Sequence, residues 1–341
     1  MLITAPALLS MVVAIASGWL VVKISKKKLL LFASFVTGIT GFVPFIFDSF
    51  SLLFFARTCF GIGLGLVTAL NTAVVAEHFE GKARVSAMGI QGASVGTGML
   101  LATTLGGLLG AYGYQFAYFV HIIGFISMFV ILWTLPDTGK VIVTKSEKIK
   151  LNSKVYKIAV LGMLEFMFLI AFTTNIAMHL SGKLAGNSSV TGTLIGVFSG
   201  VQIIMGLTLG HIAKYTGKNT LTIGMIFLSL GSFILVLSPS SYIVLLLGAA
   251  FCGMSQGIFI PQAMCEVAGA VKPVATAMAS AFFTVAMCLG QLISPTVLNG
   301  VSKVIFGKVT TSHVYTIAAI SMLFVSLILV ISKRRENNQT L

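Results

Sequence analysis

Long apolar runs alternate with short polar interruptions along almost the whole chain. Each run holds about 20 residues, enough to cross a hydrocarbon core of about 30 Å as a helix. The pattern predicts eleven membrane spans, over residues 2–22, 29–47, 51–75, 86–110, 115–135, 156–178, 191–211, 220–238, 242–265, 275–298 and 312–332. The runs are continuous, whereas a membrane β-barrel needs short alternating segments. In lipid the backbone must satisfy its own polar groups, which a helix does. The segment from Pro136 to Lys154 is linker-like and Lys-rich. It divides the chain into a five-span half at 1–136, a linker at 137–154, and a six-span half with a short tail at 155–341.

The halves echo each other. "GWLVVKISKKK" begins at Gly18 and "GHIAKYTGKN" at Gly210, 192 residues later. The same offset relates Gly61 to Gly253, Gly65 to Gly257 and Gly98 to Gly290. Parallel repeats of this kind are an architecture of secondary transporters.

Composition narrows the class. Hydrophobic residues make up 57% and charged residues 9%, with a mean hydropathy of +1.03, whereas a soluble domain carries roughly 25% charged residues. The net charge of +14 raises nucleic acid as a partner, but its distribution excludes that reading. With sides alternating, one side holds Lys23, Lys26, Lys27, Lys28, Lys82, Arg84, Lys214, Lys218 and Lys272, the linker and flanking lysines Lys140, Lys145, Lys148, Lys150, Lys154 and Lys157, and the tail residues Lys333, Arg334 and Arg335. The other side holds Lys183, Lys303 and Lys308. The positive-inside rule makes the basic side cytoplasmic, and its lysines can also touch anionic lipid. The N-terminus lacks the basic region and cleavage site of a signal peptide and reads as a span. The expectation is a multi-pass protein of the cell (plasma) membrane, monomeric, without cofactor.

Cys59, Cys252, Cys265 and Cys288 fall within spans at spacings that suit neither a metal nor a disulfide framework. They read as small core residues. G-x-S-x-G, H-E-x-x-H and Walker-type loops are absent. An enzyme or ATP-driven pump is therefore not expected, and energy would come from an ion gradient.

These residues resemble the major facilitator superfamily. Its loop signature, G-x-x-x-D-[RK]-x-G-[RK]-[RK], appears as Gly18, Val22 in place of Asp, Lys23, Ser25 in place of Gly, and Lys26, Lys27 and Lys28. The second copy keeps Gly210, Lys214, Gly217 and Lys218. "ARTCFGIGLG" supplies Arg57, Gly61, Gly63 and Gly65, similar to the R-x-x-x-G-x-G of proton-coupled drug exporters. "GMLLATTLGG" gives Gly98, Gly106 and Gly107 of an antiporter-type motif without its Pro, while "GQLISPTV" has Pro295. The alignment makes the first span here the family's second helix. The resemblance implies an all-α integral membrane bundle of two halves, drug/proton-antiporter-like, with gating by Gly18, Lys23, Lys26–Lys28, Gly98, Gly106, Gly107, Gly210, Lys214, Gly217 and Lys218.

Ionisable side chains inside spans are expensive and mark pathways. Arg57, about six residues into its span, is the candidate cation; the competing reading is snorkelling. Glu165, about nine residues into its span, is the candidate proton carrier, because burial penalises the charged form of a carboxyl. The competing reading is a packing carboxylate. Glu266 reads as interfacial, and His121 and His179 as packing residues. The amides Asn71, Gln91, Asn175, Gln202 and Gln256 are substrate-binding candidates or helix glue, and Gln262 and Gln291 are similar. The favoured function is proton-coupled export of small organic or amphiphilic molecules by alternating access. Proton-coupled uptake of a sugar or metabolite is the alternative. A transport-inactive sensor or partner subunit is the alternative from another class.

The charge asymmetry generates a topology test. Cysteines placed at Ser146 and Ser188 are exposed to an impermeant thiol reagent on intact cells. Labelling is expected at Ser188 and not at Ser146; the reverse would invert the assignment.

Overall fold

The computed structural model describes residues 5–110, 112–140 and 151–339. The linker positions Lys145, Ser146, Lys148 and Lys150 and the chain end at Thr340 and Leu341 lie outside the described residues.

Among the described residues the elements are helical, with no strand. In chain order they are α1 (Ala5–Lys23), α2 (Lys26–Ile46), α3 (Phe50–His78), α4 (Gly81–Gly110), α5 (Tyr114–Ala117), α6 (Ile123–Thr134), α7 (Ser153–His179), α8 (Ser188–Thr216), α9 (Thr220–Leu237), α10 (Tyr242–Gly269), α11 (Thr276–Phe306) and α12 (Thr311–Gln339). α5 and α6 continue through a 3₁₀ turn as one apolar stretch of 21 residues, Tyr114–Thr134. Ser188–Leu237 is a 50-residue apolar stretch. At 1.5 Å per residue it would run about 75 Å, far more than one bilayer core. Gly217, at φ +54, breaks it, so α8 and α9 are separate crossings. Each of the eleven expected spans thus has a helix through its described residues.

The helices overrun the expected spans at polar ends. α4 begins at Gly81 rather than 86, and α11 ends at Phe306 rather than 298. Hydropathy marks only the part in lipid, whereas helical hydrogen bonding continues past it. The same effect corrects the loop signature. Lys26, Lys27 and Lys28 were expected in a loop, but they form the first turn of α2, with Ser25 capping through the Lys28 N–H at 3.5 Å. Cations at a helix N-terminus oppose its dipole. Local partners offset this: Lys26 Nζ lies 2.6 Å from Glu77 Oε2, and Lys27 Nζ donates to the Leu132 carbonyl at 2.8 Å.

By contacts the chain forms two compact units. The first comprises Met1–Glu80, Leu101–Met163 and Met264–Leu292. In it α3 packs between α1 and α2. Gly61 and Gly65 lie against the backbone of Pro6 and Ser10 on α1; a Cβ on Gly65 would sit 2.5 Å from the Ser10 carbonyl oxygen. Gly63, on the opposite side of α3, would meet the Ala33 carbonyl of α2 at 2.8 Å. Val21, Leu29, Leu30, Leu66 and Leu70 fill the contact alongside.

The second unit comprises Gly81–Leu100, Leu164–Ala263 and Ile293–Leu341. Here Gly253 lies against the Phe198 backbone, and Gly257 would meet the Gln202 carbonyl at 2.6 Å. Phe198 and Gln202 stand 192 residues after Pro6 and Ser10. The offset read from the glycines thus recurs contact for contact. Close approach is what holds helices together in lipid, where burial of apolar surface supplies no net drive.

The Lys26–Glu77 pair generates a stability test. The Lys26 side chain is only 10% exposed, so removing its partner leaves a charge largely out of water. Glu77→Ala is expected to cost about 2 kcal/mol, read as a lower unfolding temperature in detergent. Adding Lys26→Met should restore most of the loss. An unchanged melting temperature for Glu77→Ala would show that the pair contributes nothing.

Candidate functional site

Glu165 sits on α7, twelve residues after Ser153 and about 18 Å along the helix at 1.5 Å per residue. It stands nine residues into the apolar run and twelve from the helix start, because α7 begins before the apolar run. The residue is fully buried. Ser255 on α10 donates its hydroxyl to Glu165 Oε1 at 3.1 Å, and Oε2 has no partner. No Lys or Arg side chain pairs with it among the described residues. An unpaired buried carboxylate costs several kcal/mol, a cost that taking up a proton removes. The arrangement is not a structural ion pair.

Ser255 faces Glu165 because of its neighbours. At 100° per residue, Gly253 and Gly257 share the α10 face that abuts α8, and Ser255 lies opposite. Phe172, Ile176 and His179 share the buried α7 face with Glu165. His179 Nε2 is 2.9 Å from the Leu235 carbonyl and must donate to it; Nδ1 is 2.8 Å from the Thr311 hydroxyl.

Arg57, in the first unit, is half-buried. Its guanidinium lies 4.9 Å over the Tyr118 ring, a cation–π contact. His121 stacks on Tyr118 with centroids 5.9 Å apart and meets Phe60 at 5.5 Å. No carboxylate pairs with Arg57 among the described residues. Arg57 and Glu165 belong to different units.

The amides separate by their partners. Gln202 is buried and donates to the Gly92 carbonyl at 3.2 Å, which makes it helix glue here. Asn71, Gln91, Asn175 and Gln256 are half-buried, and Gln91 Oε1 and Gln256 Oε1 have no partner. Gln262 is buried and Gln291 half-buried. Cys252, Cys265 and Cys288 are buried, and Cys59 is half-buried. Glu266 pairs with Lys154 at 3.2 Å.

The gating candidates also divide. α4 and α8 run antiparallel in close contact: a Cβ on Gly206 would sit 2.6 Å from the Gly89 carbonyl, and one on Gly96 would sit 3.2 Å from the Ser199 carbonyl. Gly210 abuts Ser86, and Gly92 would meet Pro261 of α10 at 2.5 Å. Toward the other ends of these helices, Gly98, Gly192 and Gly200 meet nothing within 4 Å, as do Gly106 and Gly107. The contact is therefore tight at the end carrying Lys82, Arg84 and Lys214, and it loosens away from it. Gly18 would meet Met278 Cα at 3.2 Å. Lys23, Lys214 and Lys218 are exposed.

Sequence reasoning missed Glu77, Asp137, Ser255 and Tyr315. Asp137 accepts the Gly139 N–H at 3.0 Å and the Ser25 hydroxyl at 3.1 Å. These bonds, the Gly139 N–H first, hold its carboxyl below the usual carboxylate range. This tie between the last loop of the five-span half and the α2 cap is present above the usual range and is lost as pH falls through the lowered value. An acid beside a basic turn was the available signal.

The sequence profile of the Major Facilitator Superfamily matches residues 1–171 and again 158–340. The chain belongs to this superfamily of membrane transporters. Among solved structures, the human organic anion transporter MFSD10 (TETRAN) aligns with a TM-score of 0.76 at 16% identity, covering 96% of this chain and 83% of that one. The transporter FucP in its outward conformation aligns at 0.72 and 13% identity, covering 95% and 88%. A second structure of FucP, described as the E. coli fucose:proton symporter, aligns at 0.73 and 13% identity with the same coverage. No curated protein matches the sequence.

The α4–α8 contact generates a conformational test. A Cβ at Gly89 or Gly206 strikes backbone carbonyls, which cannot rotate aside. Gly206→Ala is therefore expected to part the basic ends of α4 and α8. In a cysteine-free background carrying Ser86→Cys, thiol labelling in inside-out vesicles should rise several-fold. Unchanged labelling would show that the contact does not limit access.

Proposed function

We propose that this chain is a proton-coupled secondary transporter that exports small organic or amphiphilic molecules by alternating access. The observation that carries the reading is Glu165, fully buried near the middle of α7 with one carboxyl oxygen unpartnered. In a transporter a mid-membrane carboxyl is a proton-relay group before it is a structural one. The halves at 1–136 and 155–341 would act as the moving bodies, joined by the linker at 137–154. The α4–α8 glycine contact, with the basic turns around Lys23, Lys26–Lys28, Lys214 and Lys218, would serve as the cytoplasmic latch. Asn71, Gln91, Asn175 and Gln256 are the amides left to recognise substrate. Arg57, without a carboxylate partner, would attract an anionic group or sense a proton state. The chain would work as a monomer in the plasma membrane.

Uptake by symport uses the same carboxyl with substrate and proton moving together, so the direction of proton flux separates the two readings. The test is a purified chain in proteoliposomes with an imposed pH gradient, an internal pH dye and a panel of organic anions, organic cations and sugars. Substrate-dependent proton counterflow is expected, and co-directional flux would favour uptake. Glu165→Gln keeps shape and hydrogen bonding but cannot titrate. It should abolish accumulation against a gradient and leave exchange intact; accumulation that persists overturns the assignment. Arg57→Lys should fail nearly as badly as Arg57→Ala, because an ammonium lacks the guanidinium fork.

A further inference from the structure

Arg57 stands seven residues after Phe50 in α3, about 11 Å along the helix at 1.5 Å per residue. It is half-buried, and among the described residues no carboxylate pairs with it. Asp48, the acid of the preceding loop, accepts the Tyr114 hydroxyl instead. The Tyr118 ring, 4.9 Å from the guanidinium, attracts the charge but cannot accept the paired hydrogen bonds that a guanidinium fork offers. The ring is held in place by its neighbours. His121 donates its Nδ1 hydrogen to the Tyr118 carbonyl at 3.1 Å, stacks on the Tyr118 ring and meets Phe60 edge-on. His121 in turn lies against Gly41 of α2, where a Cβ would strike its ring.

We propose that Arg57 holds the carboxylate or sulfonate of an amphiphilic organic anion whose flat apolar body lies against Tyr118 and Phe60; the proposal rests on the reading of this chain as a transporter of small organic molecules. At 100° per residue, Arg57, Phe60, Leu64, Thr68 and Asn71 fall in one row along α3. The row runs between the side that Gly61 and Gly65 give to α1 and the side that Gly63 gives to α2. Phe55, Cys59 and Ile62 stand on the opposite side of the helix, with Phe55 65% exposed. Polar groups of a membrane helix face protein or a water-filled path, so the Arg57 row is the pathway side and the Phe55 side meets lipid. Along the row the order is cation, apolar Phe60 and exposed Leu64, hydroxyl and amide. The Thr68 hydroxyl donates to the Leu64 carbonyl at 2.7 Å, which leaves its oxygen able to accept. A charged head, an apolar body and a polar end match that order.

Charge limits the ligand to one acid group. α3 carries no other Lys or Arg, and neither do α5 and the 3₁₀ turn that follows it. One guanidinium fork matches one carboxylate or sulfonate, so a dianion would keep a charge unpaired and an organic cation would be repelled. A phospholipid phosphate offers the same anionic oxygens, and the test separates the two sources.

The test is equilibrium binding of 1-naphthoate and 1-naphthalenesulfonate to the full chain purified in maltoside micelles. Both should bind about tenfold or more tighter than neutral 1-naphthylmethanol, as one charge-assisted hydrogen bond requires, and 1-naphthylmethylammonium should not compete. Arg57→Gln should weaken both anions about tenfold or more and leave 1-naphthylmethanol unchanged. Arg57→Lys keeps the charge but should recover little of the loss, because an ammonium lacks the fork. Equal binding of anion and alcohol, or unchanged anion affinity in Arg57→Gln, overturns the proposal. A phospholipid that native mass spectrometry finds on wild type but not on Arg57→Gln, and that excludes naphthoate, makes the anion a headgroup and overturns the substrate assignment. Glu165→Gln should bind naphthoate as wild type does. Naphthoate held through Arg57 but moved without proton flux would sink the coupling reading and leave this site standing. Proton-coupled export of other molecules by a chain that binds neither anion would sink this site alone.

Discussion

Helix backbones approaching to contact distance at glycines is the constraint on which the rest of the structure depends. In lipid, apolar side chains gain little by leaving their surroundings for one another, so cohesion comes from close van der Waals contact and scattered hydrogen bonds. Gly61 and Gly65 let α3 meet α1, and Gly253 and Gly257 let α10 meet α8, at positions equivalent by the 192-residue offset. Each of these glycines faces a backbone carbonyl, which fixes helix register more firmly than a side-chain contact would. Register in turn decides where the polar residues point.

The two halves use this register differently. Gly63, between Gly61 and Gly65, lets α3 close on α2 as well. Its equivalent, 192 residues on, is Ser255. The same orientation that packs α2 in one half presents a hydroxyl to Glu165 in the other. Arg57 has Ala249 as its equivalent, so the cation of one repeat has an apolar counterpart in the other. A shared scaffold thus carries a cationic, aromatic-lined group in the first unit and an acid with a hydroxyl neighbour in the second.

The spans, the repeat and the class were legible because they are written in hydropathy and in glycine spacing, both of which survive without knowledge of contacts. Even the internal offset of the glycines translates into matched contacts at Pro6 and Phe198 and at Ser10 and Gln202. What could not be read was direction around the helix for residues whose type is unremarked in membranes. Ser255 is one serine among many until the flanking glycines turn it toward Glu165. Gln202 resembled the other candidate amides, and only its bond to the Gly92 carbonyl assigns it to packing. The lysines of the α2 turn looked like loop residues because hydropathy sees where lipid ends, not where hydrogen bonding ends. Asp137 and Glu77 carried no signal of their own in the sequence, though Glu77 pairs with Lys26 of that turn and Asp137 accepts from the Ser25 hydroxyl at its cap.

The placement of Glu165 explains why its surroundings are polar only on one side. A carboxyl at mid-membrane must find hydrogen bonds in its charged form and tolerate their weakening in its neutral form. One serine hydroxyl, free to donate or accept, serves Oε1 in either state and leaves Oε2 without a partner. A lysine or arginine partner would hold the charge permanently and remove the capacity to exchange a proton. Phe172 and Ile176 on the same face of α7 are apolar and buried, so that face offers the carboxyl no further polar partner. The acid therefore depends on α10 for its hydrogen bond, and that dependence ties its environment to the packing of α7 against α10.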